Sequence, residues 1–232
     1  YYDPLFGSYN WCVNNAEMID NYNRVYQHDP LGATAFASYG LSTSWFANIF
    51  TAESDDPITA AGFYTFTPNV LYSIYVYTIV TTSPRTGTET LVAQGWIESP
   101  GYHTIKLATP APVVAGQKFS VVVAVTAPSG YTAYMPLEMP TEGFSSGAVA
   151  NDGQSFVSEN GSSWTDVQHL SYGLDANVSL KAFAGLQSGP ITGVTLTADP
   201  ASPQPSNTTI TLRGNCTGGS NVQYQFQISS DA

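Results

Sequence analysis

The sequence predicts an all-β protein, namely a jelly-roll-like β-sandwich followed by a partial second β-domain. Alternation of apolar and polar residues, together with β-branched and aromatic runs, extends over most of the 232 residues. Asn, Gly, Pro and Ser cluster between these runs as turns, at a spacing of roughly 8–12 residues. Signals for helices are weak. Many short strands separated in this way are typical of a sandwich, because each strand needs a second sheet to cover its apolar face.

The clearest predicted strands combine period-2 alternation with β-branched residues, and they lie at residues 62–66, 71–80, 103–107, 119–125 and 178–183. In the second of these, Ile74 and Val76 share one face while Tyr75 and Tyr77 occupy the other. We therefore expect this strand to be covered on both sides. No helix longer than about two turns is expected, except at residues 14–19 or 44–50.

Two segments containing Pro and Gly divide the chain, at residues 29–32 and 186–190. They predict an extended segment over residues 1–30, a sandwich over 31–185, a linker over 186–191 and a further β-domain over 192–232. Three strand-like runs in the last part, at residues 194–197, 208–212 and 222–228, resemble the first strands of an immunoglobulin-like (Ig-like) domain. Such a domain uses about 100 residues, so only a partial Ig-like β-domain is predicted.

The composition excludes two classes of partner. Six Lys and Arg residues and a net charge of −11 cannot supply the basic surface that binds nucleic acid or anionic lipid. No apolar run approaches the ~20 residues that span a bilayer, so membrane insertion is not expected. Acidity combined with abundant Ser, Thr, Asn and Gly suits an extracellular or cell-surface protein.

Four sequons permit N-glycosylation in a secreted protein, at Asn160, Asn177, Asn207 and Asn215. The two cysteines, Cys12 and Cys216, lie near opposite ends and do not form the closely set pairs of a disulfide framework. A disulfide between subunits through either cysteine is left open.

No complete catalytic site is predicted. Cys12 lies in an alternating, strand-like segment rather than in a Gly-rich turn that opens a helix. A thiolate nucleophile needs a base within hydrogen-bond reach, and His28, His103 and His169 are isolated in the sequence. We interpret Cys12 as a small buried apolar residue.

Acidic turns raise the question of a metal site. Glu53, Asp55 and Asp56 cluster at one turn, and Asp152 lies in a second acidic loop. Calcium takes such oxygen ligands, but no EF-hand or repeat spacing is present. The pattern favours ordinary solvated turns, with a structural Ca²⁺ site at these residues as the alternative.

Aromatic residues near turns are candidates for sugar binding, because the C–H face of a pyranose stacks on Trp or Tyr. The candidates are Trp96, Trp164, Tyr102 and Tyr131. Trp45, by contrast, is expected to be a packing residue, since aromatic side chains in a sandwich more often belong to the core.

Several segments occur in the order of one known family, and they lie at residues 26–32, 43–53, 61–65, 72–78, 100–107, 115–123 and 160–166. Together they resemble the lectin-like domain attached to papain-type cysteine peptidases of bacteria and archaea, over roughly residues 26–184. Residues 1–7 are similar to the last strand of the peptidase domain, which implies that the catalytic Cys, His and Asn precede residue 1. Residues 194–228 resemble the start of Ig-like modules in surface proteins.

The resemblance implies a non-catalytic module that holds a larger secreted peptidase-related protein near a glycan or cell-surface polymer. The alternative is a structural subunit of a sheath, surface layer or filament. In that case incomplete terminal β-segments would pair with copies of the same chain by strand addition. Truncation of a longer polypeptide is the other explanation of the incomplete ends, and it is slightly favoured because both breaks fall inside recognisable domains.

Overall fold

The computed structural model describes residues 21–170, 175–185, 193–201, 203, 205 and 207–217, apart from the side chains of residues 91, 92, 216 and 217. The chain divides into two compact units, and Tyr22–Gln187 forms the larger one. Residues 193–217 belong to the other unit. Among the described residues, no helix has the length and apolarity needed to cross a membrane.

Fifteen strands are described. They are β1 (Arg24–Tyr26), β2 (Ala35–Ala37), β3 (Thr43–Thr51), β4 (Ile58–Thr65), β5 (Val70–Thr78), β6 (Thr88–Ile97), β7 (Gly101–Ala111), β8 (Lys118–Thr126), β9 (Met135–Glu138), β10 (Ser155–Ser158), β11 (Thr165–Asp166), β12 (Asn177–Val178), β13 (Leu180–Ala184), β14 (Gly193–Asp199) and β15 (Thr211–Thr217). A short 3-10 helix, Val167–His169, is the one helical element in the described part of the chain.

The larger unit contains three antiparallel sheets. The six-stranded sheet has the order β11-β10-β3-β8-β5-β6, the four-stranded sheet β1-β13-β4-β7 and the three-stranded sheet β12-β9-β2. A single apolar core joins all three sheets, with Phe46, Val123 and Ile74 from the six-stranded sheet, Phe63 from the four-stranded sheet and Leu137 from the three-stranded sheet. The prediction of an all-β sandwich is therefore confirmed.

Strand β5 is covered on both faces, as its sequence predicted. Ile74 and Val76 lie in the main core, whereas Tyr77 belongs to a second apolar cluster against which Tyr75 packs. The strand ends two residues earlier than predicted, at Thr78. Ile79 takes a positive φ of 59° and is exposed, and this left-handed conformation cannot continue a strand.

Two expectations about the start of the sandwich were wrong. Residues 44–50 are not helical but lie within β3, where alternate side chains face opposite sides of the sheet. The sandwich also begins before residue 31, because β1 pairs with β13 from Arg24 opposite Ala184 to Tyr26 opposite Ala182. The possible helix at residues 14–19 lies outside the described residues.

A buried polar network connects the sheets. Asn48 of β3 donates from Nδ2 to the main-chain oxygens of Val178, at 3.0 Å, and Leu180, at 2.8 Å. Its Oδ1 accepts from Ser155 Oγ at 2.7 Å, and that hydroxyl accepts from Val178 N at 3.0 Å. These side-chain hydrogen bonds link the six-stranded sheet to β12 and β13 where the main-chain ladders do not.

Buried charges fix the segment that precedes β2. Asp29 and Glu138 are both fully buried, and Lys181 Nζ lies 3.0 Å from Asp29 Oδ2. Leu31 N donates to Glu138 Oε1 at 2.6 Å. Burial, opposed by Lys181 and reinforced by the charge of Glu138, raises the pKa of Asp29 to about 6.

In the other unit, β14 pairs with β15 in an antiparallel register that sets Leu196 opposite Gly214. Val194 and Leu196 alternate onto one face of this pair, and 67% and 62% of their surfaces are exposed. The second strand starts at Thr211, three residues after the predicted start, and continues to Thr217. The predicted third strand, at residues 222–228, lies outside the described residues.

Candidate functional site

The outer face of the six-stranded sheet, which points away from the main core, carries several aromatic side chains. Cross-strand register places Trp45, Ala124, Ser73 and Gln94 in one row across β3, β8, β5 and β6. The neighbouring row includes Leu71 opposite Trp96. Directly opposed residues share a face, so these side chains form one continuous surface.

One end of this surface is the Arg85 cluster, formed by Trp45, Tyr75, Tyr77 and Arg85. The rings of Trp45 and Tyr75 stack with centroids 5.9 Å apart, and those of Tyr75 and Tyr77 stack at 6.4 Å. The Arg85 guanidinium carbon lies 6.0, 5.5 and 5.4 Å from the centroids of Trp45, Tyr75 and Tyr77, which is within cation–π range.

Hydrogen bonds fix the Arg85 cluster in place. Arg85 donates from Nε to the Tyr77 hydroxyl at 2.7 Å and from Nη1 to the main-chain oxygen of Gly161 at 2.9 Å. The Tyr77 hydroxyl in turn donates to Glu89 at 2.7 Å. Burial, and next the hydrogen bond to Glu89, raise the pKa of Tyr77 to about 12, so this hydroxyl keeps its proton at neutral pH.

Local sequence explains why Arg85 reaches the sheet. The turn that carries it is closed by Thr86, whose Oγ1 accepts from Thr81 N and donates to the main-chain oxygen of Ser83. Ser120 Oγ donates to the main-chain oxygen of Pro84 and so attaches the turn to β8. On the other side, Gly161 has a φ of 72°, and a Cβ there would lie 2.8 Å from the Trp45 ring.

The opposite end is the Trp96 ledge, formed by Leu71 and Trp96. About half of each side chain is exposed, 50% for Leu71 and 53% for Trp96. Beside the ledge, Gln94 Nε2 donates to Ser73 Oγ at 3.1 Å. The small residues Ser73 and Ala124 lie between the ledge and Trp45, so the middle of the surface is lower than its two aromatic ends.

The four predicted sugar-binding residues do not form one site. Trp96 lies on β6 and Trp164 directly precedes β11, and these two strands are the opposite edges of the six-stranded sheet. Trp164 packs against the apolar cluster of the outer face and is half-buried. Tyr102 lies on the four-stranded sheet, 5.0 Å from Tyr64 between ring centroids, and Tyr131 lies in the turn after Pro128.

Sequence reasoning missed most of the Arg85 cluster. Trp45 was expected to be a packing residue, and it does pack, but its partners are Tyr75 and Arg85 on the outer face. The signal that could have found the cluster is the pair Tyr75 and Tyr77 on the face of β5 opposite to Ile74 and Val76. Arg85 itself lies in a turn, and no local pattern distinguishes it.

The acidic residues considered for Ca²⁺ are not gathered into a site. Glu53 pairs with Arg24, Asp55 Oδ1 accepts from Ala115 N at 2.8 Å and Asp56 Oδ2 accepts from Ser54 Oγ at 3.0 Å. Asp152 lies 3.5 Å from His169 Nε2. Within the described ranges, no group of three or more His, Cys, Asp or Glu residues could hold a metal ion. Their positions therefore do not support a Ca²⁺ site at these four residues.

The sequons differ in accessibility. Asn177 is 1% exposed, and its Nδ2 donates to the main-chain oxygens of His28, at 2.8 Å, and Val149, at 2.9 Å. The nitrogen that would carry a glycan is therefore buried in the folded domain, and the interpretation of Asn177 as an acceptor was wrong for that state. Asn160, Asn207 and Asn215 are exposed.

The predicted disulfide stays a prediction. Cys12 lies outside the described residues, and Cys216 is described only by its main chain, opposite Val194 in the β14–β15 register.

A polar pocket lies beside the turn that contains Gly161. Its volume is about 200 Å³, and it is lined by Tyr39, Glu159, Asn160, Ser163 and Thr165. Burial, and next the charge of Glu159, raise the pKa of Tyr39. The lining offers hydroxyl, amide and carboxylate groups but no basic side chain.

An antiparallel double-sheet sandwich is an architecture that lectin domains share with other β-proteins. Residues 25–184 match the family described as "Lectin like domain", and the chain belongs to this family. The resemblance found in the sequence over residues 26–184 is thus confirmed. A search of curated proteins gave no significant match.

Two solved structures of Cwp84 share the fold. One is a cysteine-to-alanine variant of this clostridial cysteine protease after propeptide cleavage, with a TM-score of 0.61 and 18% identity over 74% of this chain and 42% of that chain. The other contains the cysteine protease and lectin-like domains of Cwp84, a surface layer associated protein of Clostridium difficile, with a TM-score of 0.60 and 18% identity over 74% and 37%. The chain therefore spans less than half of either protein.

Proposed function

We propose that this chain is a non-catalytic carbohydrate-binding module and that the outer face of the six-stranded sheet is its binding surface. The observation that carries the proposal is the Trp96 ledge, which exposes a large aromatic ring next to the Ser73–Gln94 polar pair. A sugar ring stacks its C–H face on such an indole, and neighbouring amide and hydroxyl groups orient its own hydroxyls.

The Arg85 cluster supports the same interpretation. Its rings are held by stacking and by hydrogen bonds at 2.7 and 2.9 Å before any ligand arrives. Binding then requires little ordering of side chains, which lowers the entropic cost of association.

The larger context of the module is also a proposal. Cwp84, with which this chain shares its fold, combines a cysteine protease with a lectin-like domain and is associated with a surface layer. We infer that this chain likewise works outside the cell within a longer, peptidase-related surface protein. The catalytic residues of that protein would precede residue 1, and the module would hold the protein at a glycan or cell-surface polymer.

Trp96→Ala is expected to weaken glycan binding by about tenfold or more, because a Trp stacked directly on a ligand typically contributes at least about 1.4 kcal/mol. A glycan array would first identify a ligand, and isothermal titration would then compare the variants. Tyr102→Ala and Tyr131→Ala are matched controls, since both remove exposed aromatic rings that lie elsewhere, 40% and 59% exposed. Equal affinity in wild type and Trp96→Ala, with a loss in either control, would move the site away from this face.

A structural role is the second candidate, and one observation favours it. Val194 and Leu196 expose an apolar face on the β14–β15 pair, and soluble sheets normally cover such a face. We propose that a second copy of this segment covers it. Light scattering of the native protein should then show a concentration-dependent oligomer that Leu196→Ser dissociates. A monomer of wild type at all concentrations would exclude this role.

A further inference from the structure

The electrostatics of the proposed surface define which sugars it can accept. Arg85 is the basic residue of the described surface, and its exposed guanidinium lies over three rings and donates to the Tyr77 hydroxyl and to the main-chain oxygen of Gly161. The carboxylate of Glu89 accepts a hydrogen bond from the same Tyr77 hydroxyl. The charges of Arg85 and Glu89 therefore balance each other across one hydroxyl group, and an incoming carboxylate or phosphate would meet a cluster with no net positive charge.

The surroundings are no more basic. On the same face of β8 the next cation is Lys118, six residues from Ala124, which corresponds to about 20 Å along the strand. The turn attached through Ser120 and Pro84 lies between them. The neighbouring pocket contains Glu159, and the whole chain carries a net charge of −11. Anionic polymers would be repelled over the range of the Debye length.

The shape of the surface indicates how a chain of sugars would lie. Trp45, Ala124, Ser73 and Gln94 occupy one row across four strands, which spans about 14 Å at ~4.8 Å per strand spacing. The row has an aromatic residue at one end, small residues in the middle and an amide at the other, next to the Trp96 ledge. Such a shallow, open depression accommodates a segment of a polymer.

We infer that the surface binds an uncharged polysaccharide that crosses the strands between Trp45 and Trp96, over Ser73 and Ala124, and that it discriminates against acidic polymers. This inference rests on the proposed function and adds the class of ligand and its path. Arg85 acts as a positioning residue for the aromatic rings and does not bind the ligand's charge.

The test uses neutral hexasaccharides of the cello-, malto-, xylo- and N-acetylated chito- series, and oligogalacturonate as the acidic probe. Titrations at about 0.02 M and about 0.5 M salt separate stacking from ion pairing, because salt screens only the latter. At least one neutral probe should bind with an affinity that changes less than about twofold with salt. Oligogalacturonate should bind at least about tenfold more weakly than that probe.

Two variants test the path. Ser73→Phe fills the depression and should weaken binding of the neutral probe about tenfold, whereas Ser73→Ala keeps the space, removes only the hydroxyl bound by Gln94 and should weaken binding clearly less. Tighter, salt-sensitive binding of oligogalacturonate would overturn the inference and leave carbohydrate binding intact. Wild-type affinity in Ser73→Phe together with weakened binding in Trp96→Ala would overturn the inferred path and likewise leave carbohydrate binding intact. If no carbohydrate binds at any salt concentration, the proposed function itself fails.

Discussion

Replacing Asn48 with alanine is expected to lower the free energy of unfolding by about 3 kcal/mol, because it removes three buried hydrogen bonds at once. The Asn48 side chain is fully buried, and alanine has no polar atom that could replace its hydrogen bonds to the partner groups. The main-chain oxygens of Val178 and Leu180 each lose a donor. The Ser155 hydroxyl loses its acceptor but keeps the bond from Val178 N at 3.0 Å.

Ser44→Ala provides the matched control for Asn48. Ser44 is also fully buried on β3, but its hydroxyl makes a single hydrogen bond, to the main-chain oxygen of Ala133 at 2.9 Å. Its removal should cost about 1 kcal/mol. Urea denaturation of both variants measures the difference. If Asn48→Ala loses no more stability than Ser44→Ala, the side chain does not join the sheets as described.

Lys181→Met is expected to cost about 3–5 kcal/mol at pH 7.5, because it leaves the buried carboxylate of Asp29 without its cation. Lys181 Nζ lies 3.0 Å from Asp29 Oδ2, and the charge of Glu138 acts on Asp29 from the other side. Methionine retains most of the volume and apolar stem of lysine, so the loss reports on the ammonium group, which pairs with Asp29 and donates to Gln27 Oε1 at 2.6 Å and to the main-chain oxygen of Asp29 at 2.9 Å. The control is Lys106→Met on β7, an exposed position at which the change should be within about 0.5 kcal/mol.

The pH dependence of stability distinguishes a charge effect from a packing effect. The pKa of Asp29 is raised from an ordinary 3.8 to about 6 in the folded state, chiefly by burial. Such a carboxyl stabilises the fold fully below about pH 3.8, and this contribution is lost as the pH rises through about 6. In Lys181→Met the pKa of Asp29 should rise further, because the cation that favours the ionised carboxyl is absent. The cost of Lys181→Met should therefore be smaller at pH 5 than at pH 7.5, and an equal cost at both values would contradict the account.

The sequence was sufficient for the fold class because strand periodicity is local. In β5 the alternation of Ile74 and Val76 with Tyr75 and Tyr77 specifies both the strand and its two covered faces. In β3 the nearly continuous apolar run at residues 45–50 fits a buried strand or a short helix equally well, and only pairing with β8 and β10 decides between them.

The candidate site was predictable only in part, for a physical reason. Trp96 stood out because it lies near a turn, and its exposure agrees with that. The Arg85 cluster depends on cross-strand register and on a turn folded back over the sheet, which join residues up to 76 positions apart. Asn177 has the sequence of an N-glycosylation site. Its burial could not be predicted, because the main-chain oxygens that its amide contacts belong to His28 and Val149, which are distant in sequence.

Mapping of amide chemical shifts would show whether carbohydrate binds to the outer face of the six-stranded sheet. The isotope-labelled protein would be titrated with the best ligand from a glycan array. The largest shifts are expected at Ser73, Gln94, Trp96 and Ala124 and in the indole N–H signals of Trp45 and Trp96. Saturable shifts confined to the four-stranded sheet around Tyr102, or to the turn at Tyr131, would contradict binding to the outer face.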